Sequence, residues 1–117
     1  MYLIQQITND FLQKQTLTLP DGSTFDLTLY FMPLQNGWFI KNLTYNNFVL
    51  NNLRITNSPN ILHQFKNQIP FGIACYSKDN REPTQQQDFS SGASKLYYLT
   101  SDEVTYFAQV LNGQVTP

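Results

Sequence analysis

The stretch from Thr24 to Ile55 constrains this chain more than any other, because it is written in the period of a β-strand. Within Thr24–Met32, Phe25, Leu27, Leu29 and Phe31 share one face, and Asp26, Thr28, Tyr30 and Met32 the other. Successive side chains of a strand point to opposite faces, so the pattern is that of a strand with one face in a core and one in water. Asn36-Gly37 follows, a pair suited to positive φ at both central positions of a two-residue type I′ hairpin turn. The return strand runs Trp38 to Thr44, Asn46-Asn47 is a weaker turn signal, and Phe48-Val49-Leu50 opens a third strand. The product is an antiparallel meander. In a type I′ turn Gly37 would occupy a position that only glycine takes without strain, and Gly37→Val would cost about 1–3 kcal/mol.

The flanking segments extend the same reading. Tyr2 to Ile7 is expected as a first strand and Lys14 to Leu19 as a second, with Pro20-Asp21-Gly22 turning into the meander. Thr56-Asn57-Ser58-Pro59-Asn60 breaks the pattern, because proline restricts its predecessor and lacks a donor. Ile61, Leu62 and Phe65 have helical spacing in a segment long enough only for a turn or a short 3₁₀ piece. Phe71 to Tyr76 and Leu96 to Leu99 are the closing strands. Ser101 is the expected cap of a short C-terminal helix over 101–112, carrying Val104, Phe107, Ala108 and Leu111 and stopped by Gly113. The expectation is therefore all-β: a single domain over 1–117, an antiparallel β-sandwich or small β-barrel of six to eight strands with at most two short helical segments. Phe25, Leu27, Leu29, Trp38, Ile40, Leu50, Ile73, Cys75, Leu96 and Tyr98 are its expected core.

Composition bears on what such a domain can do. Only 13% of residues are charged and the net charge is −1, against roughly 25% charged residues in an average soluble protein. Polarity comes instead from twelve Asn and twelve Gln, beside nine Phe, seven Tyr and Trp38. Amides can be covered at an interface more cheaply than ions, and aromatics favour the centres of interfaces. The alternative use of the aromatics is a β-domain core.

Several classes are disfavoured. No run reaches the roughly 20 apolar residues of a membrane span, and Met1–Lys14 lacks the basic region and cleavage site of a signal peptide. Cys75 is single, so neither a disulfide framework nor a thiolate zinc site is expected, and within Ile73-Ala74-Cys75-Tyr76-Ser77 it reads as a buried small hydrophobe. His63 is the only imidazole. Cys75 with His63 is the sole conceivable nucleophile–base pair, and nothing in the sequence brings them together. Asp102-Glu103, the only adjacent carboxylates, suit a helix start better than acid–base work. The five glycines are isolated, so no phosphate loop is present. No catalytic residue, cofactor site or metal site is expected.

Ser77 to Ser94 is a long polar loop, and loops of this length in a compact domain carry function or stay disordered. Lys78, Asp79, Arg81, Glu82, Gln85, Gln86, Gln87 and Asp88 are its candidate partner-contact residues. Arg81 is the expected anchor, since guanidinium groups are favoured at interfaces.

Three stretches in order carry a family resemblance. They are Leu29-Tyr30 with Asn36-Gly37-Trp38-Phe39; Asn60-Ile61-Leu62-His63-Gln64-Phe65 with Phe71-Gly72-Ile73; and Glu82-Pro83 with Asp88-Phe89, Gly92 and Leu96–Thr100. Over roughly residues 15 to 104 the chain resembles the baseplate plug proteins of contractile-tailed bacteriophages, departing from them at Ser58-Pro59-Asn60, where that family usually has a glycine. The resemblance implies a structural virion protein at the centre of the tail baseplate, without catalytic residues or cofactor. Its implied partners are hub, spike or tube proteins of the same phage, in several copies of a symmetric assembly put together in host cytoplasm. From the residues themselves, neither a membrane nor a nucleic acid is an expected partner. A glycan-binding β-domain is the alternative, followed by a nucleic-acid-binding barrel, for which seven basic residues forming no run against eight acidic ones are a poor electrostatic footprint.

Overall fold

In a computed structural model, which describes residues 1–111 and the side chains of 1–108, seven strands form two antiparallel sheets. The strands are β1 (Tyr2–Leu3), β2 (Leu12–Thr18), β3 (Thr24–Met32), β4 (Gly37–Tyr45), β5 (Phe48–Arg54), β6 (Gly72–Ser77) and β7 (Ser94–Leu99), followed by α1 (Ser101–Leu111). The meander and β2 make a four-stranded sheet ordered β2-β3-β4-β5, and the remaining strands a three-stranded sheet ordered β1-β7-β6. Three 3₁₀ segments of three residues each, Pro33–Gln35, His63–Phe65 and Lys78–Asn80, complete the described secondary structure. The two sheets pack face to face as a sandwich and do not close into a barrel.

The core lies where β3 says it should. Phe25, Leu27, Leu29 and Phe31 are buried, while Asp26, Thr28, Tyr30 and Met32 are half-exposed. Opposite them Ile73, Cys75 and Leu96 come from the three-stranded sheet, and Phe71 stacks on Phe25 at 4.3 Å. Leu50 and Tyr98, expected in the core, are half-buried at its margin. Tyr98 stays at the edge because its hydroxyl donates to the Thr18 carbonyl at 3.1 Å, which ties the two sheets together.

On β4 strict alternation would put Trp38, Ile40 and Asn42 inside, yet the large side chains buried are Trp38, Ile40 and Leu43. A β-bulge makes the difference. The β3–β4 register shifts between Thr28 and Leu29, leaving Lys41 as one extra residue on β4. An extra residue advances the side-chain phase by one, so Lys41 and Asn42 both face outward and Leu43 returns to the core. Asn52 on β5 lies opposite Lys41 with φ of 58° and performs the same correction between Leu50 and Leu53.

The central hairpin departs from the expected type I′ turn. Met32 pairs with Gly37, and the four residues between them form a 3₁₀ turn closed by Asn36, whose φ is 49°. Pro33 sets this conformation, since its fixed φ suits the start of a helical turn. Gly37 is the first residue of β4 and has no left-handed φ; its hydrogen faces the Arg54 guanidinium, 2.7 Å from where a Cβ would stand. The two-residue hairpin is instead the one with the weaker signal, where Tyr45 pairs with Phe48 and Asn46 has φ of 51°.

Two further boundaries differ. The first strand ends at Leu3 instead of Ile7, because Gln6 adopts φ of 63° and turns the chain toward β2, where Gln15 Nε2 donates to the Gln5 carbonyl at 2.9 Å. The cap of α1 is Thr100, one residue before Ser101. Its amide and hydroxyl donate to Glu103 Oε1 at 3.0 and 3.1 Å, and the Glu103 amide returns to the Thr100 hydroxyl. This reciprocal Thr-x-x-Glu arrangement satisfies amides that a helix start leaves unpaired. Helix α1 lies over the outer side of the three-stranded sheet, where Val104 and Phe107 pack with Ala74, Tyr97 and Leu99. The expected helix end at Asn112 and stop at Gly113 lie outside the described residues.

Between the sheets, Asn60 is a polar peg in the core, 3% exposed. Its Oδ1 accepts from the amides of Leu62 and Ile73 at 3.0 and 3.2 Å. Gly72 makes room for it, since a Cβ there would stand 2.6 Å from that oxygen.

Candidate partner-contact loop

The polar loop from Ser77 to Ser94 begins and ends on neighbouring strands, with β6 and β7 in register from Gly72–Leu99 to Ser77–Ser94. Its base is closed by the hydroxyls of Ser77 and Ser94 at 2.7 Å and by the Lys78 amide donating to the Ala93 carbonyl at 2.9 Å. Asp79 and Asn80 then take φ of 58° and 55°, reversing the chain toward Arg81. Asn and Asp tolerate this conformation better than most side chains, and the polar composition of the segment supplies both.

An internal ion pair organises the rest. The Arg81 guanidinium donates to both oxygens of Asp88, at 2.8 and 3.2 Å, and the Gln85 amide adds a third bond at 2.9 Å. The Asp88 side chain is 3% exposed and that of Arg81 44%. Burial pushes the Asp88 carboxyl up, but its bonds to Arg81 and to the Gln85 amide outweigh that, and it sits below the usual carboxylate range. Hydrogen bonding to Asp88 and its charge raise Arg81 in turn. A bidentate charged pair of this kind fixes geometry as well as contributing energy.

Beneath the ion pair the loop is anchored to the core. Trp38, fully buried, donates from Nε1 to the Gln85 carbonyl at 3.1 Å, and Phe89 meets the Trp38 ring edge-on at 5.5 Å. Pro83 is buried, and Glu82 accepts from the Asn57 amide at 2.9 Å. Gln86 and Ser90 bond to Asn9, which holds the loop to the N-terminal segment. A groove of about 450 Å³ remains between Leu3–Ile7 and Phe89–Leu96.

The candidate residues thus divide. Lys78, Asp79, Arg81, Glu82, Gln85 and Gln87 lie on the exposed side, Gln86 is half-buried, and Asp88 is interior. Within this polar segment Pro83, Asp88 and Phe89 are buried, and intrachain bonds give the loop a defined shape. Sequence reasoning missed the tether from Trp38 to Gln85, since a tryptophan after a turn gives no hint of its distant partner. It also left unread the outer face of the four-stranded sheet, although the alternate positions of β2 to β5 spell it out.

The geometry offers no activated nucleophile among the described residues. Cys75 is fully buried, and burial pushes its thiol up to about 12. A thiol so raised stays protonated and unreactive at neutral pH. His63 has its Nδ1 buried without a hydrogen-bond partner. No described helix is long and apolar enough to cross a membrane.

No curated protein matches the chain. A family model described as cyanophage baseplate Pam3 plug gp18 matches residues 1–102. That span takes in both sheets, the buried Trp38 and the whole of the polar loop, and the chain therefore belongs to this family of phage baseplate plugs, structural components of the virion tail.

Proposed function

We propose that this protein plugs the centre of a phage tail baseplate, held there by contacts with hub, spike or tube-end proteins of the same phage, in several copies about the tail axis. The observation that carries the reading is the family match over residues 1–102, which includes a loop pre-shaped for contact. A loop already held by Arg81–Asp88 and by Trp38 loses little conformational freedom on docking, and preorganisation of that kind favours binding. Its exposed rim of Lys78, Asp79, Glu82 and Gln87 supplies both charge signs and an amide for recognition. Assembly takes place in host cytoplasm, a reducing setting that the single free Cys75 suits.

Electron microscopy of intact tails tests the location directly. Density for the chain on the tail axis at the baseplate is expected; a position elsewhere in the virion would overturn the plug reading. Tails built with Lys78→Glu, Asp79→Asn and Gln87→Glu together test the loop. These positions are exposed, so the fold should persist while incorporation falls. Normal incorporation would remove the loop from the interface.

A further inference from the structure

The outer face of the four-stranded sheet has nothing packed on it among the described residues, and its chemistry is unlike the rest of the molecule. Paired registers place Leu12, Tyr30, Phe39 and Arg54 in one row, and Lys14, Thr28, Asn42 and Asn51 in the next. The bulge adds Lys41, whose ammonium lies 5.6 Å from the Tyr30 ring centre, while the Arg54 guanidinium lies 5.4 Å from that of Phe39. Arg54 is further fixed by the carbonyls of Gln35 and Asn36, at 3.3 and 3.1 Å. The face therefore presents three cations, Lys14, Lys41 and Arg54, against one carboxylate, Asp26, which already accepts the Thr16 hydroxyl at 2.7 Å. Elsewhere the described side chains reverse the balance, with four cations against seven carboxylates.

We infer that this sheet face is a second docking surface, and that its occupant is a carboxylate-rich protein surface of a neighbouring baseplate component. The inference rests on the baseplate reading proposed above. Charge complementarity selects an acidic partner. The cations at the Tyr30 and Phe39 rings lie where a base or a sugar would have to stack, which favours a protein over a nucleic acid or a glycan. Between the cations the surface is hydroxyl and amide, groups cheaper to cover than ions. At one end Leu12 and Leu34 are 53% and 99% exposed, giving the contact an apolar rim.

Lysine acylation read by mass spectrometry, on the free protein and on assembled tails, tests this without altering the chain. Lys14 and Lys41 should lose reactivity several-fold in tails while Lys66 and Lys95 keep theirs. Unchanged reactivity of Lys14 and Lys41, in a chain recovered from tails, overturns the docking face and leaves the baseplate reading standing. Absence of the chain from tails overturns both. As a second measurement, Lys14→Glu with Lys41→Glu should retain the melting temperature and reduce incorporation about tenfold, whereas Lys66→Glu with Lys95→Glu should not. Wild-type incorporation by the first pair overturns the proposal. So does salt-sensitive binding of a single-stranded oligonucleotide that this pair abolishes, because the face would then belong to nucleic acid.

Discussion

The two sheets share one core but differ in what they do with their other side. In β3 buried and half-exposed residues alternate without exception from Phe25 to Met32, so the four-stranded sheet hides one face and keeps the other wet. In β6 the run Gly72–Cys75 is buried throughout, because the three-stranded sheet is covered on its inner side by the core and on its outer side by α1. The difference teaches where a partner can still be received. A sheet covered on both sides has spent its surface on folding, whereas the four-stranded sheet retains a broad face whose substitution need not disturb the interior.

The sharpest way to break this comparison is to put one charge on each outer face. Ala74→Lys would bury an unpaired ammonium under α1, where Ala74 is fully inaccessible, and should cost about 3–5 kcal/mol. Thr28→Lys places the same charge on the wet face and should stay within about 0.5 kcal/mol. Chemical denaturation of both variants reads the difference directly; equal losses would mean that the four-stranded face is not free.

A smaller contrast separates two glycines that each begin a strand, one in each sheet. Gly72→Ala meets the buried Asn60 carboxamide, which cannot move without releasing the Leu62 and Ile73 amides, so a loss of about 1–3 kcal/mol is expected. Gly37→Ala meets only the end of the flexible, exposed Arg54 side chain, and should cost less than about 1 kcal/mol. Thermal melts of the two would sharpen the view that the interior, and not the turn, sets the demand for glycine.

The last contrast concerns the loop, and it depends on pH. Asp88 is held below its ordinary value, so the folded state binds its proton less readily than the unfolded chain does. Its stabilisation is therefore complete above the ordinary carboxylate value near 3.8 and is lost as pH falls through the lower folded value. Asp88→Asn should cost about 1–2 kcal/mol at pH 7, and the gap to the wild type should narrow in melts taken below that window. A gap independent of pH would show that the Asp88 charge plays no part in holding the loop.

Much of this was legible in the sequence, and what was not has identifiable causes. The period of two in Thr24–Met32 fixed which of those residues are inside, and Phe25, Leu27 and Leu29 are all 1% exposed. The bulge at Lys41 was hidden because Trp38, Ile40 and Asn42 alternate as well as Trp38, Ile40 and Leu43 do once a residue is skipped; only the neighbouring strand decides. The Asn36-Gly37 signal misled because Pro33, three residues earlier, imposed its own turn. The internal order of the loop was hidden because its stabilising partners, Trp38, Asn57 and Asn9, are distant in the chain and pair with it only after folding.

The extra residues at Lys41 and Asn52 have a further consequence for how this protein can change over generations. They stand opposite one another on adjacent strands, so deleting both at once would leave Ile40 and Leu43 on β4, and Leu50 and Leu53 on β5, facing inward as before. The sheet can thus be shortened by one matched pair while its hidden half stays unaltered, and only the visible half is rewritten. Trimming or restoring that pair would change what the outer face presents, with no need to rebuild the fold around it.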